Sequence, residues 1–530
     1  MTSDAARLPP AVAEEAPRAR PRRAANLTQR ASLNVAASLL DYTAKIAVNF
    51  VVIPILVAGL GRSLYGTWEM LGRLVGYLTA GDGRPTQALR LVVATLQASD
   101  DDAAKRRYVG AAFVVWVLFL PLILAAGAVL IWLVPTITHA APELRGTVRI
   151  AVALLVVGLL SANLASLPES VLRGMNLGYK RMGLQAGLEV VGGALTAGAI
   201  SVGLGLAGAA ASQIVFGALL GTAFWIVVKK YVRWFGVARP TRADVRSLLG
   251  LSAWYSVGEA IAKLLLASDA IILGMIVSPA AVASFVLTGY AARIAVNIHV
   301  LAAGGVIPGI GGVIGRRQYD KAAGLRYELL AVTWLFATAV GGAILLWNRS
   351  FVALWVGSDN YAGAVVNLLL VLVMAQTTLI RSDAFVIDSA LQPRARVVVA
   401  AATVVITIAL ATLLTWRFGM PGLCVGMFLG RLTQSVAYPV LTHGCLGRQP
   451  SPPLTTFVRP LVVMVLLFAG CAYLGQRLLV PHWAWWGLGA TVSCTLLLGI
   501  ALLTGLPGHY RRVILGRVRD ATQGLKQLRR

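Results

Sequence analysis

Four pairs of opposite charge stand at i, i+4 inside or at the ends of long apolar stretches: Asp41 with Lys45, Glu69 with Arg73, Glu169 with Arg173, and Glu259 with Lys263. On a helix this spacing puts both groups on one face, with the acid first, which is the more favourable order. Two readings are open. Each base neutralises its acid so that the segment can enter a bilayer, or Lys45, Lys263, Arg73 and Arg293 line a cavity and bind an anion, the acids releasing them as it arrives. Arg90 and Arg293 have no acid four residues away, so neighbours, water, headgroups or a ligand must meet their charge. For Arg90, close to the end of its stretch, snorkelling to the membrane surface is the plainer alternative. Asp269, Glu189 and Asp388 are acids with no obvious local partner. In a bilayer such a carboxylate is a candidate to exchange a proton or hold a sodium ion, against the alternative that an Asn, Ser or backbone donor on another helix satisfies it.

The elements that must position these groups are transmembrane helices. Of 530 residues, 58% are hydrophobic and 13% charged, with a mean hydropathy of +0.77, which excludes a soluble chain. Apolar runs of about 20 residues or more recur throughout, long enough to cross a hydrocarbon core as helices, and they lack the alternation of barrel strands. They predict an all-α polytopic protein of about fourteen transmembrane helices. Residues 1–31 read as a disordered basic tail, 32–230 as a first lobe of six helices, and 248–443 as a second. Residues 460–505 read as two appended helices and 506–530 as a basic amphipathic tail. Breaks are expected in the second helix at Gly81-Asp82-Gly83-Arg84-Pro85 and in the eighth around Gly304-Gly305 and Pro308-Gly309.

A formal charge of +26 would suggest nucleic acid in a soluble protein, but its distribution excludes that reading. With the N-terminus in the cytoplasm, 33 Lys and Arg fall in the tails and even-numbered connections, five in the opposite set and nine inside the spans. This is the positive-inside bias. Asp41-x-x-x-Lys45 recurs 218 residues later as Glu259-x-x-x-Lys263, and each copy precedes a long helix carrying an arginine, Arg73 or Arg293. Six crossings separate the copies, so the two lobes share one orientation about an axis along the membrane normal. Cys424, Cys445, Cys471 and Cys494 show no metal-ligand spacing and read as spectator thiols. Tryptophans such as Trp132, Trp355 and Trp486 mark helix ends as interfacial anchors.

Three stretches carry a family likeness. Leu64-Tyr65-Gly66 opens the second helix, and Asp82-Gly83 with Ala88-Leu89-Arg90 closes it. Leu172-Arg173-Gly174-Met175-Asn176 with Tyr179 precedes Gly203-Leu204-Gly205-Leu206-Ala207-Gly208. The connections Arg316 to Arg326 and Gln392-Pro393-Arg394 each lead into a helix. Over residues 30 to 445 the chain resembles the multidrug/oligosaccharidyl-lipid/polysaccharide (MOP) exporter superfamily, in its polysaccharide-synthesis flippase branch. Gly81-Asp82-Gly83-Arg84-Pro85 departs from that pattern by placing an arginine and a proline where small or apolar residues are usual. The resemblance implies a flippase, not an enzyme, that carries an undecaprenyl-diphosphate-linked oligosaccharide to the periplasmic leaflet of a bacterial inner membrane by alternating access, with no cofactor. Lys45, Arg73, Lys263, Arg293 and Arg90 would meet the diphosphate, while Asp269, Glu189 and Asp388 would couple an ion or proton. Membrane lipids surround the chain, and a polysaccharide polymerase and glycosyltransferases are the candidate partners. A drug or metabolite exporter of the same superfamily is the main alternative, disfavoured by the deep Lys45 and Lys263. A membrane polymerase or ligase is a weaker one, because the opposite-side loops hold few groups for catalysis. The chain has no Gly-x-x-x-x-Gly-Lys-Ser/Thr phosphate loop.

The charge bias predicts that topology reporters fused after Lys230 or at Arg530 report cytoplasm, and reporters within 135–147 or 348–361 report periplasm. A periplasmic C-terminal reporter would overturn the arrangement.

Overall fold

The computed structural model describes residues 21–390, 393–447 and 455–528. Residues 1–20 of the expected tail, Gln392, residues 448–454 and the last two arginines lie outside the described residues. Every regular element described is helical. In chain order these are α1 (Pro21–Leu78), α2 (Pro85–Thr95), α3 (Asp102–Ile137), α4 (Arg145–Gly174), α5 (Met182–Ser201), α6 (Gly205–Tyr231), α7 (Arg242–Ile276) and α8 (Pro279–Thr288). There follow α9 (Tyr290–Gly304), α10 (Ile307–Gly315), α11 (Tyr319–Val356), α12 (Ala364–Ser389), α13 (Pro393–Leu446), α14 (Thr455–Arg477), α15 (Trp483–Ile500) and α16 (Gly508–Leu528). The first helix reaches back to Pro21, so residues 21–31, read above as tail, are helical.

Ten of the described helices are long and apolar enough to cross a membrane, or eleven with the bent pair α8 and α9 counted as one. The two longest contain a glycine in a left-handed conformation, Gly61 in α1 (φ 76°) and Gly419 in α13 (φ 62°), which a residue with a Cβ adopts only under strain. Around Gly419 the chain doubles back. Cβ atoms built on Gly422, Gly426 and Gly430 would meet Leu414, Ala411 and Thr407 in turn, the signature of two antiparallel arms in close contact. The first helix turns back at Gly61 in the same way. Asp41 lies within electrostatic reach of Arg173 and Arg181, and a Cβ on Gly174 would meet the Arg90 carbonyl, whereas Gly59 packs on Ile200 at the other end of α5.

The anticipated breaks are present. The return arm of α1 ends at Leu78, Arg84 takes a left-handed φ of 46°, and Pro85 starts α2, where its missing N–H costs no helical bond. Likewise α9 stops at Gly304 and α10 starts at Ile307. A further bend of 51° at Gly289, between α8 and α9, was not legible beforehand. Helix starts outside the apolar core follow ordinary capping. Thr241 and Asp244 form a capping box at α7, with bonds of 3.1 and 2.9 Å, and Arg107 adds a contact at 3.3 Å. Burial pushes the Asp244 carboxyl up, but the Thr241 bonds and Arg107 outweigh it and hold it below the usual carboxylate value.

The repeat extends well beyond the two charge pairs. The helix α3 and its counterpart α11 start 217 residues apart, at Asp102 and Tyr319, and end 219 apart, at Ile137 and Val356. The starts of α4 and α12, Arg145 and Ala364, are 219 apart. The α5–α6 pair corresponds to the two arms of α13. Within the first lobe, α4 lies along α6 through small residues, Gly158 against Gln213, Gly217 against Ser161 and Gly221 against Ala165. In the second lobe α11, α12 and α13 pack together with α7, and α14 and α15 lie against α11 through Gly341, Gly342, Gly475 and Gly489. The C-terminal α16 is pinned to α11 by Arg517 and Glu328, at 2.9 Å.

The lobes touch where the return arm of α1 meets α8. A Cβ on Gly66 would overlap the Pro279 carbonyl, whereas one on Gly72 would meet nothing within 4 Å. Gly66→Leu should therefore cost about 3 kcal/mol or more, as overpacking against backbone does, and Gly72→Ala almost nothing. Thermal unfolding in detergent, followed by size-exclusion chromatography, checks both.

Candidate functional site

Arg62, Arg73 and Arg84 stand eleven residues apart, three helical turns, so the first two share one face of the return arm and the third continues their line past the break. All three cross to the second lobe. The Arg62 guanidinium bonds Ser284 and, at 3.3 Å, the Ala280 carbonyl. Arg73 pairs with Asp269, their side chains 14% and 16% exposed. Arg84 pairs with Glu259 and approaches Asp82 at 3.8 Å. Between these contacts Tyr77 and Ser268 hydroxyls bond at 2.8 Å, and the Tyr65 hydroxyl donates to Glu69 at 3.2 Å.

Beside this seam, a cavity of about 230 Å³ is lined by Asp269, Arg293, Asn297, Thr377 and Arg431 among apolar groups. Arg293 enters it from α9. The bend at Gly289 exposes carbonyls at the end of α8, and Arg293 donates to one of them, Val286, at 2.6 Å. Its side chain is nevertheless exposed, deep in the bundle and open to the cavity. Lys263 lies over the return arm near Gly76 and contacts Glu259 at 3.8 Å, so Glu259 stands between Lys263 and Arg84.

The remaining expected groups divide. Glu169 pairs with Arg173 at 2.6 Å as its spacing predicts, and also with Arg181 at 3.1 Å. The pair Asp41–Lys45 is not among the ion pairs of the described residues. Asp41 faces Arg181 and Arg173 with one buried oxygen unbonded, and Lys45 is exposed. Glu69 does not hold Arg73 either, because Asp269 on α7 comes closer. Asp269 and Asp388, read above as lacking partners, both have arginines, Arg73 and Arg396. Glu189 is half-buried near Asp41, and Arg90 is exposed on α2.

Five arginines escaped the sequence reading of the site: Arg62, Arg84, Arg381, Arg396 and Arg431. Arg84 was visible as an oddity of the break and as the third member of the eleven-residue series. Arg431 sits alone in an apolar stretch just as Arg293 does, the signal that would have found it, whereas Arg381 has Asp383 two residues on. Charges from both lobes thus line one interior, where they can hold an anion in a hydrated cleft or exchange partners with it.

The sequence model of the family described as polysaccharide biosynthesis protein matches residues 33–311, over half of the chain. Among solved structures, the fold is similar to an inward-facing MATE family multidrug resistance transporter of the MOP superfamily. That match has 13% identity, covers 76% of this chain and 94% of that one, and gives a TM-score of 0.63. It is also similar to the lipid II flippase MurJ in an inward closed conformation, at 12% identity over 88% of this chain and 98% of that one, with a TM-score of 0.66. An outward-facing MATE transporter gives 0.52 at 16% identity, over 80% and 97%. No curated protein matches the chain in sequence.

The seam itself is open to test. Arg73→Met takes from Asp269 its ion-pair partner and leaves only the more distant Arg293 and Arg431 facing it, and should lower stability by about 1–3 kcal/mol, the cost of a buried polar group that loses its partner. The double variant Arg73→Met with Asp269→Leu should recover most of that in thermal unfolding. If the double variant is no more stable than the single one, the pair does not join the lobes.

Proposed function

Since the chain belongs to the polysaccharide biosynthesis protein family, within the MOP exporter superfamily, we propose that it is a flippase for an undecaprenyl-diphosphate-linked oligosaccharide. In this reading fourteen helices cross a bacterial inner membrane with both termini cytoplasmic, and the substrate moves to the periplasmic leaflet. The observation that carries the proposal is Arg293, charged, deep between the lobes and open to a cavity. A diphosphate cannot cross hydrocarbon unaided, and each unpaired polar group of a sugar chain adds several kcal/mol. A basic, hydrated interior between two lobes removes both barriers while the lipid tail stays in the bilayer. That MurJ is itself a lipid II flippase supports a lipid-linked cargo.

Arg293, Lys263 and Lys45 meet the diphosphate, and Arg90, exposed on α2, meets headgroups or incoming substrate at the surface. Arg73 is held by Asp269 and joins the site when that pair opens, which leaves Asp269 to take up a proton or ion as the coupling group. Glu189 and Asp388 are the other coupling candidates. The better agreement with the two inward-side relatives than with the outward-facing one supports an inward-side state. Opening to the other side then breaks Arg62 from Ser284, and opening inward breaks Arg84 from Glu259.

Purified protein in liposomes carrying a fluorescent lipid-linked oligosaccharide should translocate it, and Arg293→Gln should slow translocation about tenfold or more, the loss of one charge-assisted bond to phosphate, at unchanged protein level. Export of an organic cation, with no translocation of the lipid-linked sugar, would replace this reading with the exporter one.

A further inference from the structure

Between α7, α12 and the two arms of α13 lies a pocket of about 260 Å³. Three arginines line it: Arg381 of α12, Arg396 of the first arm of α13 and Arg431 of the second. Arg396 pairs with Asp388. Arg431 is 7% exposed; its Nη1 donates to Thr377 Oγ1 at 2.7 Å, and its Nε is buried with no hydrogen-bond partner among the described residues. Arg381 makes no ion pair among the described residues. The neighbouring carboxylates are engaged elsewhere, Asp383 with Arg326 at 2.7 Å and Asp269 with Arg73. Three guanidinium groups therefore share one carboxylate. Two of the charges have no ion pair among the described residues, although Asp269, itself paired with Arg73, faces Arg431 across the adjoining cavity, and such a deficit of negative charge among membrane helices is costly unless an anion completes it.

We propose that the second lobe holds an anion-binding pocket, beside the cavity around Arg293 and sharing one wall with it, in which Arg381, Arg396 and Arg431 take an oxyanion of phosphoryl size. Gln434 and Tyr438, bonded to each other at 3.1 Å, supply further polar groups on its wall. A guanidinium presents a planar fork of donors that fits such oxygens, and three forks from three segments enclose one. Thr377 and Arg431 line both this pocket and the Arg293 cavity, so the two adjoin. The oxyanion has two sources. One is the diphosphate of the lipid-linked substrate, which rests on the transport reading above; the other is free phosphate, which does not.

The test uses purified full-length protein in a buffer whose only other anion is gluconate, held at one low concentration throughout, and follows thermal unfolding as inorganic phosphate or pyrophosphate is added. The wild type should be stabilised in a concentration-dependent way. Arg381→Gln with Arg431→Gln should raise the half-maximal concentration about tenfold or more without lowering the anion-free Tm, because it removes uncompensated charge. Arg431→Lys, which keeps the charge and loses the fork, should fall between. An unresponsive wild type, or a double variant with a lower anion-free Tm and an unchanged response, would overturn the pocket. In nanodiscs loaded with the lipid-linked oligosaccharide, a pyrophosphate response that is competed away assigns the pocket to the substrate diphosphate. An undiminished response assigns it to free phosphate. Failure of translocation with an intact anion response counts against the transport reading alone.

Discussion

In hydrocarbon, two helical lobes have no hydrophobic drive to stay together, because lipid tails are as apolar as the faces they would cover. What joins these lobes is close packing, Gly66 on Pro279 and Met70 on Gly274, together with charge placed where it cannot be left alone. Arg62, Arg73 and Arg84 each reach across to the other lobe, and each partner is specific: a hydroxyl and a carbonyl, then Asp269, then Glu259. Such bonds differ from packing in one respect that matters for a transporter. They can be exchanged for bonds to water or to an anion at little net cost, so the lobes are held firmly and still separably.

Within each lobe glycine-mediated packing carries more of the contact. Glycines let backbones approach, as in α4 on α6 and between the arms of α13, and these contacts have no exchangeable partner. The division between rigid interiors and a polar seam is the condition for rigid-body motion. The same division places the basic groups. Arg293 faces a cavity beside the seam, and Arg431 lines both that cavity and the pocket it shares with Arg381 and Arg396 inside the second lobe.

Much of this was legible in the sequence, for identifiable reasons. Hydropathy marks apolar helices because lipid permits few alternatives, and Gly81-Asp82-Gly83-Arg84-Pro85 marks a break through residues that cannot continue a helix. The repeat was visible from Asp41 and Glu259 alone and extends to the bounds of α3 and α11. Lateral pairing was not legible. An i, i+4 rule sees only one helix, so it assigned Glu69 to Arg73 and left Asp269 without a partner, although the two that meet are 196 residues apart. The same limit hid Arg396 as the partner of Asp388, across a helix boundary. The left-handed Gly61 and Gly419 follow from glycine's freedom, but which of 54 glycines would use it depends on where neighbouring helices end.

Arg62 contacts Ala280, a residue 218 positions later, which is the repeat distance itself. Arg62 thus touches its own counterpart, and a residue that does so lies close to the axis relating the lobes. Used as a fulcrum, that contact gives the return arm leverage. Arg84 lies 22 residues along, or roughly 30 Å at the helical rise. A tilt of about 10° that leaves Arg62 in place carries Arg84 some ~5 Å from Glu259, enough to part an ion pair. In the proposed transport reading, a small rotation at one end would thereby be geared into a gate at the other.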